Sequence, residues 1–175
     1  MLHPRLAMAL FTGFLVLSPL DAQEVPPMAV LKPEQLFTLV ERLTEDVHYT
    51  VAGVERILGP IGLQKSDYVS RSFEVYEAQC NDSDWLKYVE LRAPISGDPS
   101  TGRLLIVDLK EGVGKEIGYE QLFFHYGEED EFRIPLAHAP AENPLSFGYS
   151  RDWGKLIFGI TRDYEELVGI YIHVD

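Results

Sequence analysis

The apolar residues between positions 33 and 58 recur with the period of an α-helix. From Leu36 to Val47 they follow steps of four, three and four, which places them on one side of a helix. Pro33 suits the first turn, because a first-turn residue needs no intrahelical N–H bond. Thr50 can cap a second, shorter helix, which Gly59 and Pro60 end. The pattern therefore predicts two N-terminal helices.

After residue 70 the apolar period changes to two, which is typical of strands. Three segments are rich in aromatic and β-branched residues: 72–78, 85–91 and 103–109. Turn-forming residues separate them at 81–84 and 96–102, which predicts antiparallel hairpins.

The rest of the chain predicts one short helix and further strands. Four residues lie at helical spacing: Tyr119, Leu122, Phe123 and Tyr126. Residues 132–136 alternate, and Pro135 places them at a sheet edge because proline cannot donate to the ladder. Three more segments alternate: 145–149, 156–160 and 168–174. We therefore expect an α+β fold in which N-terminal helices pack on a mostly antiparallel sheet, with a C-terminal β-meander.

The first residues have the features of a secretory signal peptide. Arg5 precedes an uncharged apolar run from Leu6 to Leu17, and Pro19 follows it. This run is shorter than the roughly 20 residues of a membrane-spanning helix. We place cleavage after residue 22, so that residues 23–32 form a linker and residues 33–175 a single domain, with possible halves 33–110 and 111–175. We therefore expect a periplasmic or secreted protein with no stable membrane anchor after cleavage.

The formal net charge of −13 at pH 7 restricts the expected partners. Nucleic acids and anionic membranes attract clustered Lys and Arg, so neither is expected. Another extracytoplasmic protein, of basic character, is favoured, although an acidic surface also serves solubility. Cys80 is the single cysteine, which excludes an internal disulfide and leaves it either buried or available for an intermolecular bond.

Two short sequences occur twice in the chain. Glu-Gln-Leu-Phe at 34–37 recurs at 120–123, and Asp-Trp-x-Lys at 84–87 recurs at 152–155. The offsets are 86 and 68 residues, so they define no single period. Duplication is therefore only suggested.

No motif for a cofactor or a metal is complete. Gly112, Gly114 and Gly118 follow a strand, as in a phosphate-binding loop, but no βαβ unit follows and we interpret them as hairpin turns. The four histidines after residue 22 lack the spacings of paired metal ligands: His48, His125, His138 and His173. We expect neither a cofactor nor a metal.

Aromatic and acidic residues at turns and on polar faces are the candidate binding residues. Six aromatic residues are expected at such positions: Tyr119, Tyr126, Tyr149, Trp153, Tyr164 and Tyr171. Four consecutive carboxylates precede a strand: Glu128, Glu129, Asp130 and Glu131. The alternatives are an aromatic set covered by the helices, and a solvated turn for the carboxylates.

A catalytic alternative rests on residues 148–152, which are close to the GxSxG motif but lack its final glycine. Ser150, His125 and Asp152 would then form the triad of a small exported hydrolase. A small-ligand carrier is a further alternative, which a deep apolar pocket would favour.

The spacing of Thr50, Val54, Leu58 and Gly59, followed by strands, resembles the SmpA/OmlA family of small envelope proteins and β-lactamase-inhibitor-protein-like exported domains. The resemblance covers residues 33–92 and implies two short helices on an antiparallel sheet, and a binding role. The chain departs from the family because it has no lipid-anchor cysteine and no cysteine pairs. We therefore expect an exported, non-enzymatic protein-binding module, acting as an inhibitor or immunity-type partner or as an envelope assembly factor.

Overall fold

The computed structural model describes residues 30–95, 102–135 and 143–175. These ranges contain three helices: α1 (Pro33–Glu45), α2 (Val51–Leu58) and α3 (Tyr119–Tyr126). They also contain eight strands: β1 (Gln64–Lys65), β2 (Phe73–Gln79), β3 (Leu86–Pro94), β4 (Arg103–Leu109), β5 (Glu131–Arg133), β6 (Leu145–Arg151), β7 (Gly154–Ile160) and β8 (Leu167–Val174). The predicted signal peptide and most of the predicted linker lie outside the described residues.

All eight strands belong to one antiparallel sheet with the order β1-β2-β3-β4-β8-β7-β6-β5. Strands β1 to β4 form one meander and β5 to β8 form another. The meanders join where β4 pairs with β8, with Leu105 opposite Ile172 and Val107 opposite Ile170. The α+β class and the antiparallel C-terminal meander are confirmed, and the two halves share one sheet.

Helix α2 begins and ends at the residues that the sequence indicates. Thr50 Oγ1 accepts a hydrogen bond from the Gly53 N–H at 3.0 Å. Gly59 follows the last turn at a φ of 94°, a backbone conformation that glycine adopts without strain.

One buried cluster contains apolar residues from the helices and from the strands. The helices contribute Leu36, Leu43, Val54 and Leu122, among others, and the strands contribute Val89, Leu105, Phe158 and Ile172. Cys80 is buried in the same cluster, and burial raises the pKa of its thiol. None of the helices in the described ranges is long and apolar enough to cross a membrane.

The two halves of the chain have corresponding parts. The first module (residues 33–110) and the second module (residues 111–175) each contain a helix and a four-stranded meander. The repeated Glu-Gln-Leu-Phe lies at the start of α1 and of α3, and the repeated Asp-Trp lies between the second and third strands of each meander. The offsets differ mainly because α2 has no counterpart in the described part of the second module.

Two kinds of hydrogen bond also occur in both modules. The side chains of Gln35 and Gln121 each accept, at 2.9 Å, the N–H of the residue that precedes their helix. The Trp85 carbonyl accepts the Lys110 N–H at 2.9 Å, and the Trp153 carbonyl accepts the N–H of residue 175 at 3.2 Å. Each of these hydrogen bonds lies at the same place in its module as its counterpart does in the other module.

Two local predictions need correction. The glycines from Gly112 to Gly118 lie in the connection from β4 to α3 rather than in a hairpin, and the Gly112 N–H donates to Glu166 Oε1 at 2.6 Å. The edge strand β5 is confirmed at the sheet edge, but it ends at Arg133, before Ile134, which is 69% exposed. Residue 136 lies outside the described residues.

Candidate functional site

Five aromatic side chains of the second module form a surface group, termed here the aromatic patch. Its members are Tyr119, Phe123 and Phe124 of α3, Phe132 of β5, and Tyr164 between β7 and β8. The exposed fraction is 83% for Phe124, 45% for Tyr164, 43% for Phe123 and 40% for Phe132. Grouped apolar residues on the surface of a soluble protein mark an interaction site when they are contiguous.

Three rings of the aromatic patch share contacts with one buried ring, and the other two join them along α3. Phe147 is 1% exposed, and its ring centroid lies 4.8 Å from that of Tyr119, 5.0 Å from that of Phe132 and 6.0 Å from that of Tyr164. The patch continues along α3, since Phe123 is 6.0 Å from Tyr119 and 6.2 Å from Phe124. Phe147 of β6 and the contacts along α3 therefore connect all five rings.

Tyr164 is held in an unusual backbone conformation. Its φ is 68°, in the left-handed region that disfavours residues with a β-carbon. Its carbonyl accepts the Tyr119 N–H at 3.1 Å, and its N–H donates to the Thr161 carbonyl at 2.9 Å. A β-carbon on Gly118 would lie 2.6 Å from the same carbonyl, so only glycine permits this close approach. Strain of this kind often accompanies a functional position.

An open cleft of about 770 Å³ lies between the start of α3 and the β7–β8 connection. It is lined by Lys115, Glu116, Gly118, Tyr119, Glu120, Gln121, Asp163, Tyr164 and Glu165. Four of these side chains are carboxylates and one is an ammonium. Glu116 forms an ion pair with Lys32 at 2.6 Å. The aromatic patch therefore borders a negatively charged cleft.

The run of carboxylates at 128–131 does not point to one place. Glu129 Oε2 accepts a hydrogen bond from the Tyr119 hydroxyl at 3.0 Å, at the aromatic patch. Asp130 Oδ2 accepts the Ser150 N–H at 2.6 Å and thereby extends the pairing of β5 with β6. Glu128 is exposed.

Glu131 turns to the other side of the sheet from the core residues. Its side chain binds Lys155 at 2.9 Å and the guanidinium of Arg133, and these partners hold the pKa of the carboxyl below its usual range. Its charge is therefore already compensated within the protein, unlike a carboxylate presented to a partner.

The corresponding position in the first module shows that the fold does not require an aromatic residue at position 124. Aligning the repeated Glu-Gln-Leu-Phe places Thr38 of α1 at the position of Phe124 in α3. Leu36 and Leu122, two residues earlier, are both fully buried. The buried leucine is therefore common to both helices, whereas the exposed phenylalanine belongs to the second module alone.

Four of the six aromatic residues expected at the binding surface lie elsewhere. Tyr149 is 1% exposed, so the expectation of an accessible ring there is wrong; β6 turns it toward the core, where burial raises the pKa of its hydroxyl to about 12. Tyr126 and Trp153 are partly buried against the same cluster. Tyr171 lies on the opposite side of the sheet, over Gly169.

The three residues of the catalytic alternative lie on different elements. His125 is on α3, and its ring stacks on Phe37 of α1 at 3.6 Å and 5°. Ser150 is near the end of β6, and Asp152 is in the turn after that strand. Within the described residues no hydrogen bond joins any two of the three.

Other binding chemistry is sparse in the part of the chain that the structure describes. No group of three His, Cys, Asp or Glu side chains there is placed to hold a metal ion, and His138 lies outside it. A shallow recess of about 250 Å³ lies on the other face of the sheet, between Glu131, Arg133, Ile157 and Tyr171. It is smaller than the roughly 300 to 1,000 Å³ of typical small-molecule pockets.

Sequence reasoning identified Tyr119 and Tyr164 as binding residues but missed Phe123, Phe124 and Phe132. The signal for Phe124 was present: Leu122, Phe123, Phe124 and Tyr126 are four large apolar residues among five, more than one helix face can bury. Comparisons with protein-family models, with curated proteins and with solved structures find no match.

Proposed function

We propose that this chain is an exported, non-enzymatic binding module. It binds a basic extracytoplasmic protein through its aromatic patch. The observation that carries the proposal is Phe124, which is 83% exposed although the first module builds the same helix with a threonine. An exposed aromatic ring that the fold does not need has a cost in solubility, and contact with a partner is the usual compensation.

The acidic surroundings of the patch support a basic partner. Glu120, Asp163 and Glu165 line the adjoining cleft, and the whole chain has a formal net charge of −13 at pH 7. Opposite charge accelerates association, and rings such as Phe124 attract cationic side chains through their faces. The binding should therefore weaken as the salt concentration rises.

In this proposal the helices pack on one face of the sheet and fix the orientation of α3. The stacking of His125 on Phe37 connects α3 with α1, and the Leu31 N–H donates to the Val113 carbonyl at 2.7 Å. A fixed α3 presents its rings with little loss of side-chain entropy on binding. Such preorganisation suits an inhibitor or immunity-type protein, or an assembly factor of the envelope.

A capture experiment with matched variants tests this function. The tagged protein is exposed to the extracytoplasmic fraction of its host at low and high salt, and bound proteins are identified by mass spectrometry. We expect a stoichiometric basic partner at low salt, whose purified form binds Phe124→Ala at least tenfold more weakly than the unsubstituted protein.

Tyr68→Ala is the control, because Tyr68 is also an exposed ring, 70% accessible, but lies outside the patch between β1 and β2. This control should bind the partner normally. The patch is not the binding surface if Phe124→Ala and Tyr68→Ala bind the partner equally, or if capture does not change with the salt concentration.

A further inference from the structure

The cleft beside the aromatic patch has two walls that are joined by a backbone hydrogen bond. One wall is the first turn of α3, with Tyr119 and Glu120, and the other is the segment from Asp163 to Glu165. The Tyr119 N–H donates to the Tyr164 carbonyl at 3.1 Å, and the absence of a β-carbon at Gly118 permits this close approach. The cleft is therefore formed before any partner arrives.

Carboxylates from both walls face this cleft. Asp163 accepts hydrogen bonds from the Thr161 hydroxyl at 2.5 Å and from the Glu165 N–H at 3.3 Å, which lower the pKa of its carboxyl. Glu120 and Glu165 are exposed. Lys115 is the one cationic side chain among the lining residues, so the balance of charge favours a cation.

Aromatic rings add a second kind of contact at the same place. The Tyr164 ring is 45% exposed and meets the Tyr119 ring edge to face, at 6.2 Å and 80°. Tyr164 lines the same cleft as Glu120, Asp163 and Glu165. A planar guanidinium can stack on a ring while its N–H groups bind carboxylates, whereas an ammonium is more strongly hydrated and has no plane.

We propose, on the basis of the function proposed above, that this cleft seats an arginine side chain of the basic partner. The guanidinium lies on the Tyr164 ring and donates hydrogen bonds to Glu120 and Glu165 from the two walls. Phe124 supplies the neighbouring apolar contact, so the partner presents an arginine next to an apolar residue. The cleft thereby distinguishes arginine from lysine, which charge alone does not.

Two labelled peptides of equal charge test this preference. Binding of hexa-arginine and of hexa-lysine to the purified protein is measured by fluorescence anisotropy at a fixed salt concentration. Stacking of the planar guanidinium on the Tyr164 ring, which a hydrated ammonium does not reproduce, contributes about 0.5 to 1 kcal/mol, so we expect hexa-arginine to bind about two- to fivefold more tightly. The preference should disappear in Tyr164→Asn, since asparagine tolerates the left-handed backbone, and it should persist in Tyr164→Phe and in Tyr68→Asn.

A second pair of variants separates the cleft from the overall charge. The double variant Glu120→Gln, Glu165→Gln should bind hexa-arginine at least fivefold more weakly than the unsubstituted protein. The double variant Asp67→Asn, Asp82→Asn removes the same charge from exposed positions outside the cleft. It should reduce the binding of hexa-arginine much less. Melting temperatures confirm that each variant is folded.

The outcomes also separate this proposal from the proposed function. Equal affinity for the two peptides, or a preference that survives Tyr164→Asn, overturns the arginine seat. Equal losses of hexa-arginine affinity in the two double variants also overturn it. If Phe124→Ala still abolishes capture of the partner, the binding function stands without the seat; if capture ignores Phe124, the function itself fails.

Discussion

The ring of Tyr171 lies across Gly169, so closely that a β-carbon on Gly169 would be 2.6 Å from the tyrosine hydroxyl oxygen and 3.0 Å from Asp108 Oδ1. The hydroxyl is hydrogen-bonded to the Asp108 carboxylate, and burial is the main reason that the pKa of Tyr171 is raised. Glycine within a strand removes packing, and a tyrosine laid over it restores some of that contact.

Gly169→Ala should therefore destabilise the protein. The new methyl group would displace the Tyr171 ring and break its bond to Asp108, with a loss of about 1 to 3 kcal/mol in the free energy of unfolding. Urea denaturation measures this loss. In a Tyr171→Ala background most of the loss should vanish; an undiminished loss there would mean that the tyrosine does not fill this space.

Asp108→Asn should stabilise the protein at neutral pH but not in acid. Burial raises the pKa of Asp108 above its ordinary value of 3.8, although the Tyr171 hydrogen bond opposes the shift. The folded protein binds this proton more tightly than the unfolded chain does. The stability that protonation provides is therefore complete below pH 3.8 and is lost as the pH rises through the folded-state pKa. Asparagine removes the partly buried charge and keeps an acceptor for Tyr171. Denaturation at about pH 3 and at about pH 7 tests this.

Asp163→Asn is the matched control, for which we expect a change in stability of the opposite sign at neutral pH. Its hydrogen bonds lower the carboxyl pKa, so the stability that they give is present above 3.8 and is lost as pH falls through the folded-state pKa. This variant should be less stable than the unsubstituted protein at neutral pH. The same direction of change at neutral pH in both variants would contradict the assignment for Asp108.

Tyr149→Phe should be neutral or stabilising. The Tyr149 hydroxyl is buried without a hydrogen-bond partner among the described residues, and a buried polar group without a partner costs about 1 to 3 kcal/mol. Phenylalanine keeps the ring contacts with Tyr126 at 5.3 Å and with Phe158 at 6.0 Å. A clear fall in melting temperature would mean that this hydroxyl has a partner that the geometry does not provide.

Phe124→Thr should leave stability almost unchanged, within about 0.5 kcal/mol, because the side chain is exposed and the first module has a threonine there. Phe37→Thr is the comparison, since Phe37 packs against the core and stacks on His125. We expect it to lose about 2 kcal/mol, less than a fully buried ring. Equal losses in thermal unfolding would show that Phe124 serves the fold.

Most elements could be predicted because their local signals agree. The apolar stripe beginning at Leu36, the Thr50 cap and Gly59 each specify a helix or its end without reference to the rest of the chain, and the structure has α1 and α2 there. The alternation in β6 to β8 was equally clear, since one side of each strand faces the core.

The candidate site was predicted only in part, because the sequence does not say which elements become neighbours. The alternation in β6 puts Tyr149 on the same side as Leu145 and Phe147, so the expectation of an accessible ring there went against the strand pattern. The pairing with β7 places Tyr149 beside Leu156 in the core. Tyr119 and Tyr164 are 45 residues apart, and their contact depends on the β7–β8 connection meeting α3. The spacing of Phe123 predicts a helix and does not single out Phe124, because helical spacing alone does not assign exposure.

Strand β8 follows the other seven described strands in the sequence, yet it lies in the middle of the sheet, between β4 and β7. Until it arrives, β4 has an unpaired edge, and β7 has another. Strands β1 to β4 can pair with one another, as can β5 to β7, but the two groups cannot unite before β8 is available. Folding therefore passes through a state with two open strand edges, at which another chain can pair before β8 fills the gap.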